Sequence, residues 1–398
     1  MREVFAERGT MGPAVEFDSL LGRLQWDERE IARRKEERTR LWEYRRVDHI
    51  PIVIWLTCNP RGLTMRQLLE SGEYQLEANL VAVERSLRAL PDDYIPWLRP
   101  DVGYMTIATV YGCEVFWSED PNQMPGVVAP IITQMDQVYA LPRWNPITRG
   151  LMPECLRRIH LFRSVTDGRI PLSGIDLGGP LNTCKDIVDS HVFYTALYDN
   201  PGAVHHLLEH ITSTMIACYD AIIAACGGME NMTTTDFDPT WAPLPYKGFV
   251  SDDVMVHLSP AMWKEFGRPY NSRIFARYGG GLLHNCGPHP PGGEILEHTP
   301  AIRGLNCSFR YTRPDFERLG REFAGRGLVF AMFDNGESAE EMLAGFREMM
   351  EKMLPGTIAV PVCIIDGESW SDTALTEFYW AMRKIGEEYA AELAWPAE

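Results

Sequence analysis

The chain has 398 residues, 45% hydrophobic and 23% charged, which is enough for one large globular domain or two medium ones. Its 38 Lys and Arg residues stand against 55 Asp and Glu residues, and the formal charge of -17 repels nucleic acid and anionic membranes. We therefore expect neither a nucleic-acid partner nor a membrane partner.

Targeting signals and membrane spans are not evident in the sequence. Residues 1–23 contain no basic segment followed by an apolar core, and no uninterrupted apolar stretch approaches the roughly 18 residues of a membrane span. The nine cysteines, an odd number without a secretion signal, indicate reduced thiols. These features predict a soluble, cytoplasmic protein.

The first predicted element is a charged helix over residues 26–45. It carries both acidic and basic side chains between Glu28 and Glu37, with Arg33 and Arg34 among them. Such a pattern is typical of a solvated flank or of the arm of a homodimer.

Short β-rich runs separated by longer helical patterns follow in chain order, as in a parallel sheet built from βα units. Helix starts between them are marked by Asn200-Pro201, by Ser259-Pro260 and by the capping box of Ser338 with Glu341. Eight such runs predict an α/β fold, a (β/α)8 TIM barrel with long loops over its mouth. The runs are 49–56, 102–108, 170–177, 232–237, 281–286, 304–309, 328–333 and 357–363.

Polar and metal-binding side chains stand at the ends of these predicted strands, where a barrel builds its active site. Each of them alone is explained as a helix cap or a turn former, but together they favour one site on one rim. In chain order they are Asn59, Asp176, Asp236, Asp238, His284, Cys286, Asn306, Cys307, Asp334 and Cys363.

His284, Cys286 and Cys363 predict a zinc site among these strand ends. An imidazole and two thiolates suit Zn²⁺ better than hard cations, and three ligands leave a fourth position for a substrate atom. Cys307 also ends a predicted strand and competes with Cys363 as third ligand. Other cysteines are interpreted as buried small hydrophobic residues, namely Cys155, Cys184, Cys218 and Cys226.

Several segments resemble the uroporphyrinogen decarboxylase superfamily, and within it the branch of corrinoid-dependent methyltransferases, over about 46–384. In that branch an H-x-C motif and a distant cysteine after the last strand hold zinc, and Cys363 stands where the latter is expected. The resemblance implies an N-terminal helical extension, 1–45, and a uroporphyrinogen-decarboxylase-like TIM barrel, 46–398. The matching segments include Arg46-Val47-Asp48-His49-Ile50-Pro51, Gly178-Gly179-Pro180-Leu181, Tyr198-Asp199-Asn200-Pro201 and Leu283-His284-Asn285-Cys286-Gly287.

The function implied by this resemblance is zinc-dependent methyl transfer. A thiol such as coenzyme M or homocysteine would bind Zn²⁺ as thiolate and take the methyl group of methyl-cobalamin or of a small methyl donor. Because the chain lacks a D-x-H-x-x-G segment, the corrinoid is expected on a separate partner protein. Roles at the site are expected for Asp236, Asp238 and Asp334 in catalysis or in orienting His284, for Asn59, Asp176 and Asn306 in cofactor binding, and for His289 and His298 as further candidates.

Three alternatives stay open at the level of sequence. The first is a uroporphyrinogen decarboxylase, which binds the carboxylates of its substrate with an arginine-rich segment after the first strand. Residues 57–62 of this chain contain a single arginine, Arg61. Asp176 or Asp236 would then take the place of its acidic residue. A zinc-free methyltransferase that uses tetrahydrofolate would bind the pterin with Asn306 and Asp236. The third alternative is a non-catalytic binding protein for a corrinoid protein.

Overall fold

The computed structural model describes residues 14–297 and 302–396. Strands and helices alternate along most of this length. The strands are β1 (Val53–Thr57), β2 (Val115–Phe116), β3 (Gly126–Val127), β4 (Gly248–Ser251), β5 (Gly281–His284), β6 (Ile302–Ser308), β7 (Leu328–Phe333) and β8 (Ile358–Asp366). The helices are α1 (Phe17–Arg23), α2 (Glu28–Trp42), α3 (Met65–Glu70), α4 (Gly72–Ala89), α5 (Thr106–Tyr111), α6 (Met152–Val165), α7 (Pro180–Ile187), α8 (Ser190–Asp199), α9 (Pro201–Ala225), α10 (Pro260–Phe266), α11 (Arg268–Arg277), α12 (Phe309–Thr312), α13 (Phe316–Glu322), α14 (Ala339–Met353) and α15 (Asp372–Glu392).

Six of the strands form one parallel sheet in the order β1-β8-β7-β6-β5-β4. Beyond β4 the curled ladder continues through single parallel bridges, from Met232 to Leu172 and from Leu172 to Leu98. The strands are buried on both faces, because inward side chains fill the interior and outward ones meet the surrounding helices. The predicted α/β fold of TIM-barrel type is thus confirmed.

Two parts of the predicted element order are wrong. Residues 102–108 do not form a strand, because most of this stretch belongs to the loop before α5 and to α5 itself, and Leu98 takes the place in the ladder. Short apolar runs do not distinguish a strand from a buried helical turn by periodicity, and Gly112 ends this turn with a φ of 107°. Conversely, β4 lies between the predicted runs 232–237 and 281–286, where no strand was expected. The predicted runs 170–177 and 232–237 contribute single bridges.

The predicted N-terminal helix is confirmed as α2, but its interpretation as a solvated flank is wrong. Trp42 is fully buried, and its indole lies 6.1 Å from the ring of Tyr246 and 5.6 Å from that of Phe330. Arg34 also donates from Nη1 to the carbonyl of Tyr94 at 2.8 Å. Since Tyr246 precedes β4, α2 packs against the amino-terminal side of the strands. The division of the chain at residue 45 stays a prediction.

The long helix α9 packs against α6, α7, α8 and α11 on the outside of the barrel. Within the described residues it is a helix long and apolar enough to cross a membrane, judged by length and composition alone. Half of its most apolar window is buried inside the fold, as in the core helix of a soluble domain. The cysteines interpreted as core residues are indeed fully buried: Cys155, Cys184, Cys218 and Cys226.

The packing of α2 predicts a large cost for removing its tryptophan. Trp42→Ala should lower the free energy of unfolding by about 3–5 kcal/mol, since a buried indole leaves both lost contacts and a cavity. Urea denaturation followed by circular dichroism measures this. Trp380→Ala on α15 is the matched control, because that side chain is 47% exposed and should cost far less. Equal effects of the two changes would contradict the structural role of α2.

Candidate metal centre and cavity

Three ligand atoms converge at the carboxyl ends of β4 and β5. The side chains of Asp253, His284 and Cys286 bring one donor atom each to within 4.8 Å of one another. Nε2 of His284 lies 3.6 Å from Sγ of Cys286 and 3.7 Å from Oδ1 of Asp253. The register of the sheet causes this proximity, because Ser251 at the end of β4 pairs with His284.

The backbone ties the two strand ends together around this group. The amide of Asp252 donates to the carbonyl of His284 at 2.8 Å, and the amide of Cys286 donates to Oδ1 of Asp253 at 3.2 Å. Oδ2 of Asp253 accepts from Nδ2 of Asn182 on α7 at 3.0 Å. The carboxylate is therefore held in place by groups of the protein itself.

A chain of hydrogen bonds fixes the orientation of the imidazole. Nδ1 of His284 lies 2.6 Å from Oδ1 of Asn306, and Nδ2 of Asn306 donates to Oδ2 of Asp238 at 2.6 Å. Because the amide nitrogen of Asn306 faces the carboxylate, its oxygen accepts from Nδ1–H. In the neutral imidazole the lone pair then sits on Nε2 and points toward Cys286 and Asp253.

The electrostatics of the group favour a positive charge between its members. Burial alone would lower the pKa of His284, but the hydrogen bond to Cys286, the charge of Asp253 and the hydrogen bond to Asn306 outweigh it. Together they raise the pKa of His284 to about 10. A site that binds a proton this strongly at Nε2 also suits a metal cation there. One sulfur, one nitrogen and one oxygen donor form a set that Zn²⁺ accepts.

A cavity of about 390 Å³ opens beside this group. Asp253, His284 and Asp176 are among the residues that line it. Burial raises the pKa of Asp176 to about 6, although the charge of Arg99 opposes this. Gly179 lets the loop after Asp176 approach the site, because a Cβ at this position would lie 1.9 Å from the carbonyl oxygen of Ser251.

Cys363, the expected third ligand, is not brought to this group. It pairs in register with Phe333, whose ring stacks on Phe309 at 4.4 Å. A Cβ on Gly345 of α14 would lie 2.6 Å from the Phe333 ring, so Phe333 faces the outer helices. Paired residues of parallel strands point to the same face, and the fully buried Cys363 therefore points away from the interior. The third donor atom of the group comes from Asp253 instead.

Cys307, the competing third ligand, is also outside the group. Its neighbour Asn306 reaches His284 from inside the barrel, and alternation along β6 therefore turns Cys307 outward. Burial raises the pKa of this thiol to about 12, while a hydrogen bond with Thr312 opposes the shift. We therefore interpret Cys307 as a buried residue that packs between the sheet and the outer helices.

The remaining predicted site residues are one buried acid, Asp236, and two residues outside the cavity, Asp334 and Asn59. Asp236 accepts from the hydroxyl of Tyr219 at 2.8 Å, and burial raises its pKa well above the usual value. Asp334 is exposed after β7 and does not line the cavity. Asn59 uses its side-chain amide to bridge both backbone groups of Leu63, at 2.9 and 2.7 Å, which stabilises its own turn.

His289, in the loop after β5, does not join the group of Asp253, His284 and Cys286. His289 is fully buried rather than exposed, and its Nε2 lies 3.1 Å from the carbonyl oxygen of Asn285. Its backbone amide donates to Asp315 at 2.8 Å, so the residue fastens the loop to the helical layer. His298 lies outside the described residues.

Asp253 is the site residue that sequence reasoning missed. It follows the apolar run 248–251 together with Asp252, which is the same pattern of a polar residue after a buried strand that marked the other candidates. The run is not among the eight predicted strands, and Asp253 therefore did not stand at a predicted strand end.

The raised pKa of His284 predicts a pH dependence of the metal-free protein. An unfolded histidine titrates near pH 6.5. The stabilisation is therefore complete below about pH 6.5 and disappears as the pH rises through about 10. Melting temperatures of chelator-treated protein and the NMR signal of His284 measure this. Cys286→Ala should lower the pKa of His284, whereas an unchanged titration near pH 6.5 in both proteins would contradict the geometry.

Comparison with known proteins identifies the family of the chain. The family model described as uroporphyrinogen decarboxylase (URO-D) matches residues 98–306, more than half of the chain. Among curated proteins no match was found. A solved methyltransferase from Methanosarcina mazei is 16% identical, with a TM-score of 0.63 over 89% of this chain and 98% of that chain, and this shows a shared fold. The chain belongs to the uroporphyrinogen decarboxylase family.

Proposed function

We propose that this protein is a zinc-dependent methyltransferase that moves a methyl group between a corrinoid on a separate protein and a thiol or similar small acceptor. The observation that carries the proposal is the group of Asp253, His284 and Cys286 beside the cavity. A soft sulfur donor and an imidazole with its lone pair fixed toward that sulfur are what a zinc site needs. The name of the Methanosarcina mazei structure, a methyltransferase, is in keeping with this.

The ligand set leaves room for a substrate atom on the metal. When bound, Zn²⁺ would lower the pKa of an acceptor thiol and hold its sulfur as thiolate. Asp253 and Cys286 would contribute two negative charges and His284 none, so the charges of the ligands and the metal cancel. Asn306 and Asp238 hold the imidazole in the tautomer that binds metal.

The other charged groups that line the cavity indicate which acceptor fits. Asp176 and Asp186 line it with a single lysine, Lys185, whose Nζ lies 3.2 Å from Oδ1 of Asp186. Two carboxylates against one ammonium group favour an acceptor with its own ammonium group over a purely anionic one. Homocysteine, which is zwitterionic, therefore suits this cavity better than coenzyme M, which carries a sulfonate.

Porphyrinogen decarboxylation is disfavoured by the environment of Arg61. This arginine after β1 is paired with Glu77 and lies over the ring of Tyr74, so its charge is already compensated within the protein. A substrate with many carboxylates needs arginines that are free to bind them.

We further propose that the protein acts in the cytoplasm, where thiols stay reduced.

Zinc analysis tests the metal centre. Protein purified without chelators should contain about one zinc per chain, and His284→Ala and Cys286→Ser should lose it, since each removes a ligand. Asp253→Asn should weaken binding strongly, whereas Cys363→Ala should retain zinc. Cys307→Ala is the matched control, because it is another outward-facing buried cysteine. If X-ray absorption showed two sulfur ligands and Cys363→Ala lost zinc, the third ligand would be Cys363 and not Asp253. Absence of zinc from the wild-type protein would refute the metal centre.

Methyl transfer is tested with free methylcobalamin and thiols, followed by the absorbance change on demethylation. The zinc-loaded protein should methylate homocysteine faster than coenzyme M, and Cys286→Ser should lose the activity. Asp176→Asn should raise the KM for homocysteine more than that for coenzyme M. Asp334→Asn serves as control, since this acid is exposed and lies outside the cavity. A zinc-loaded protein that transfers no methyl group to any thiol would contradict the proposal.

A further inference from the structure

We propose that a second cavity, at the amino-terminal side of β1, binds a small molecule through its phosphate group. This cavity, called here the arginine cleft, has a volume of about 400 Å³ and lies between α2, the segment before β1, and α15. Its size fits a phosphorylated small molecule and not a macromolecule. Its cationic lining residues are Arg33, Arg34, Arg38, Arg40, Arg46 and Arg383.

The charge of the arginine cleft is opposite to that of the chain. Six guanidinium groups and four carboxylates line it, the latter those of Glu36, Glu37, Asp48 and Asp93, so its lining is positive in a protein of formal charge -17. Two of the six arginines, Arg33 and Arg383, are also paired with Asp92 outside the lining. A positive concavity on an acidic protein concentrates anions locally.

Several of these guanidinium groups have N–H donors for which the described residues provide no hydrogen-bond acceptor. Arg38 is only 5% exposed, and its Nη1 has no hydrogen-bond partner among the described residues. Nε of Arg34 is also buried and has no hydrogen-bond partner among the described residues. Arg46 is exposed at the cleft, and within residues 14–297 and 302–396 no side-chain partner is seen for it. Buried charged donors without acceptors are costly, which indicates that an external acceptor completes them.

Asp93, the buried carboxylate of the cleft, cannot supply the missing acceptors. Its Oδ1 lies 2.9 Å from Nε2 of His49, and its Oδ2 accepts from the amide of Ile52 at 3.1 Å and from the hydroxyl of Tyr379 at 2.9 Å. Arg38 reaches only the backbone carbonyl of Asp93, at 3.4 Å. The unsatisfied donors of Arg34 and Arg38 and the guanidinium group of Arg46 thus remain available to an oxyanion. A planar guanidinium group matches the oxygens of a phosphate.

Isothermal titration with inorganic phosphate, against chloride of matched ionic strength, tests the arginine cleft. The wild-type protein should bind phosphate, and Arg46→Gln should weaken binding about tenfold, because it removes an exposed guanidinium without disturbing the core. Arg321→Gln on α13 is the matched control, since this arginine is exposed and does not line the cleft. Succinate as competitor distinguishes a phosphate site from a general carboxylate site.

The outcomes separate this inference from the proposed function. The titration is repeated on zinc-free Cys286→Ser protein, in which phosphate has no metal to bind, and the difference between Arg46→Gln and Arg321→Gln should persist. Equal affinities of these two variants, no binding above the chloride control, or tighter binding of succinate than of phosphate would overturn the proposal. Loss of methyl transfer would leave it untouched.

Discussion

The hydrogen bond between His284 and Asn306 is the interaction on which the candidate site depends. It selects the tautomer of the imidazole and, through Asp238, anchors the ring to the interior of the barrel. Without it, Nε2 would not be held toward Cys286 and Asp253. The three donor atoms would then have no fixed arrangement around a common point. The same bond joins β5 to β6, so the geometry of the site is a consequence of the register of the sheet.

Alternation of side chains along the strands decides which residues belong to the site. Asn306 points inward, and Cys307 next to it must point outward. Cys363 follows the same rule through its pairing with Phe333. Chemical suitability at a strand end is therefore necessary for a ligand but insufficient, because half of the suitable residues face the helices.

The family, the class of fold and the core of the site were within reach of the sequence. His284, Cys286, Asn306 and Asp238 all come from the ends of predicted strands, since apolar runs mark strands and polar residues mark their ends. The position of Cys363 was not accessible, because it depends on register, which a single sequence does not encode locally. Asp253 was missed because β4 is a four-residue strand in a stretch with many turn-forming residues.

The nature of the third ligand bears on how a thiol acceptor would react. A carboxylate donates less electron density to zinc than a thiolate does, so zinc held by Asp253 would be a stronger Lewis acid than zinc held by a second cysteine. It would lower the pKa of an acceptor thiol further but leave the bound thiolate less nucleophilic. A methyl group on a corrinoid or on a positively charged donor is a reactive electrophile, and such a donor tolerates the weaker nucleophile. The oxygen ligand would therefore require a reactive methyl donor, whereas the acidic cavity would favour an acceptor with an ammonium group.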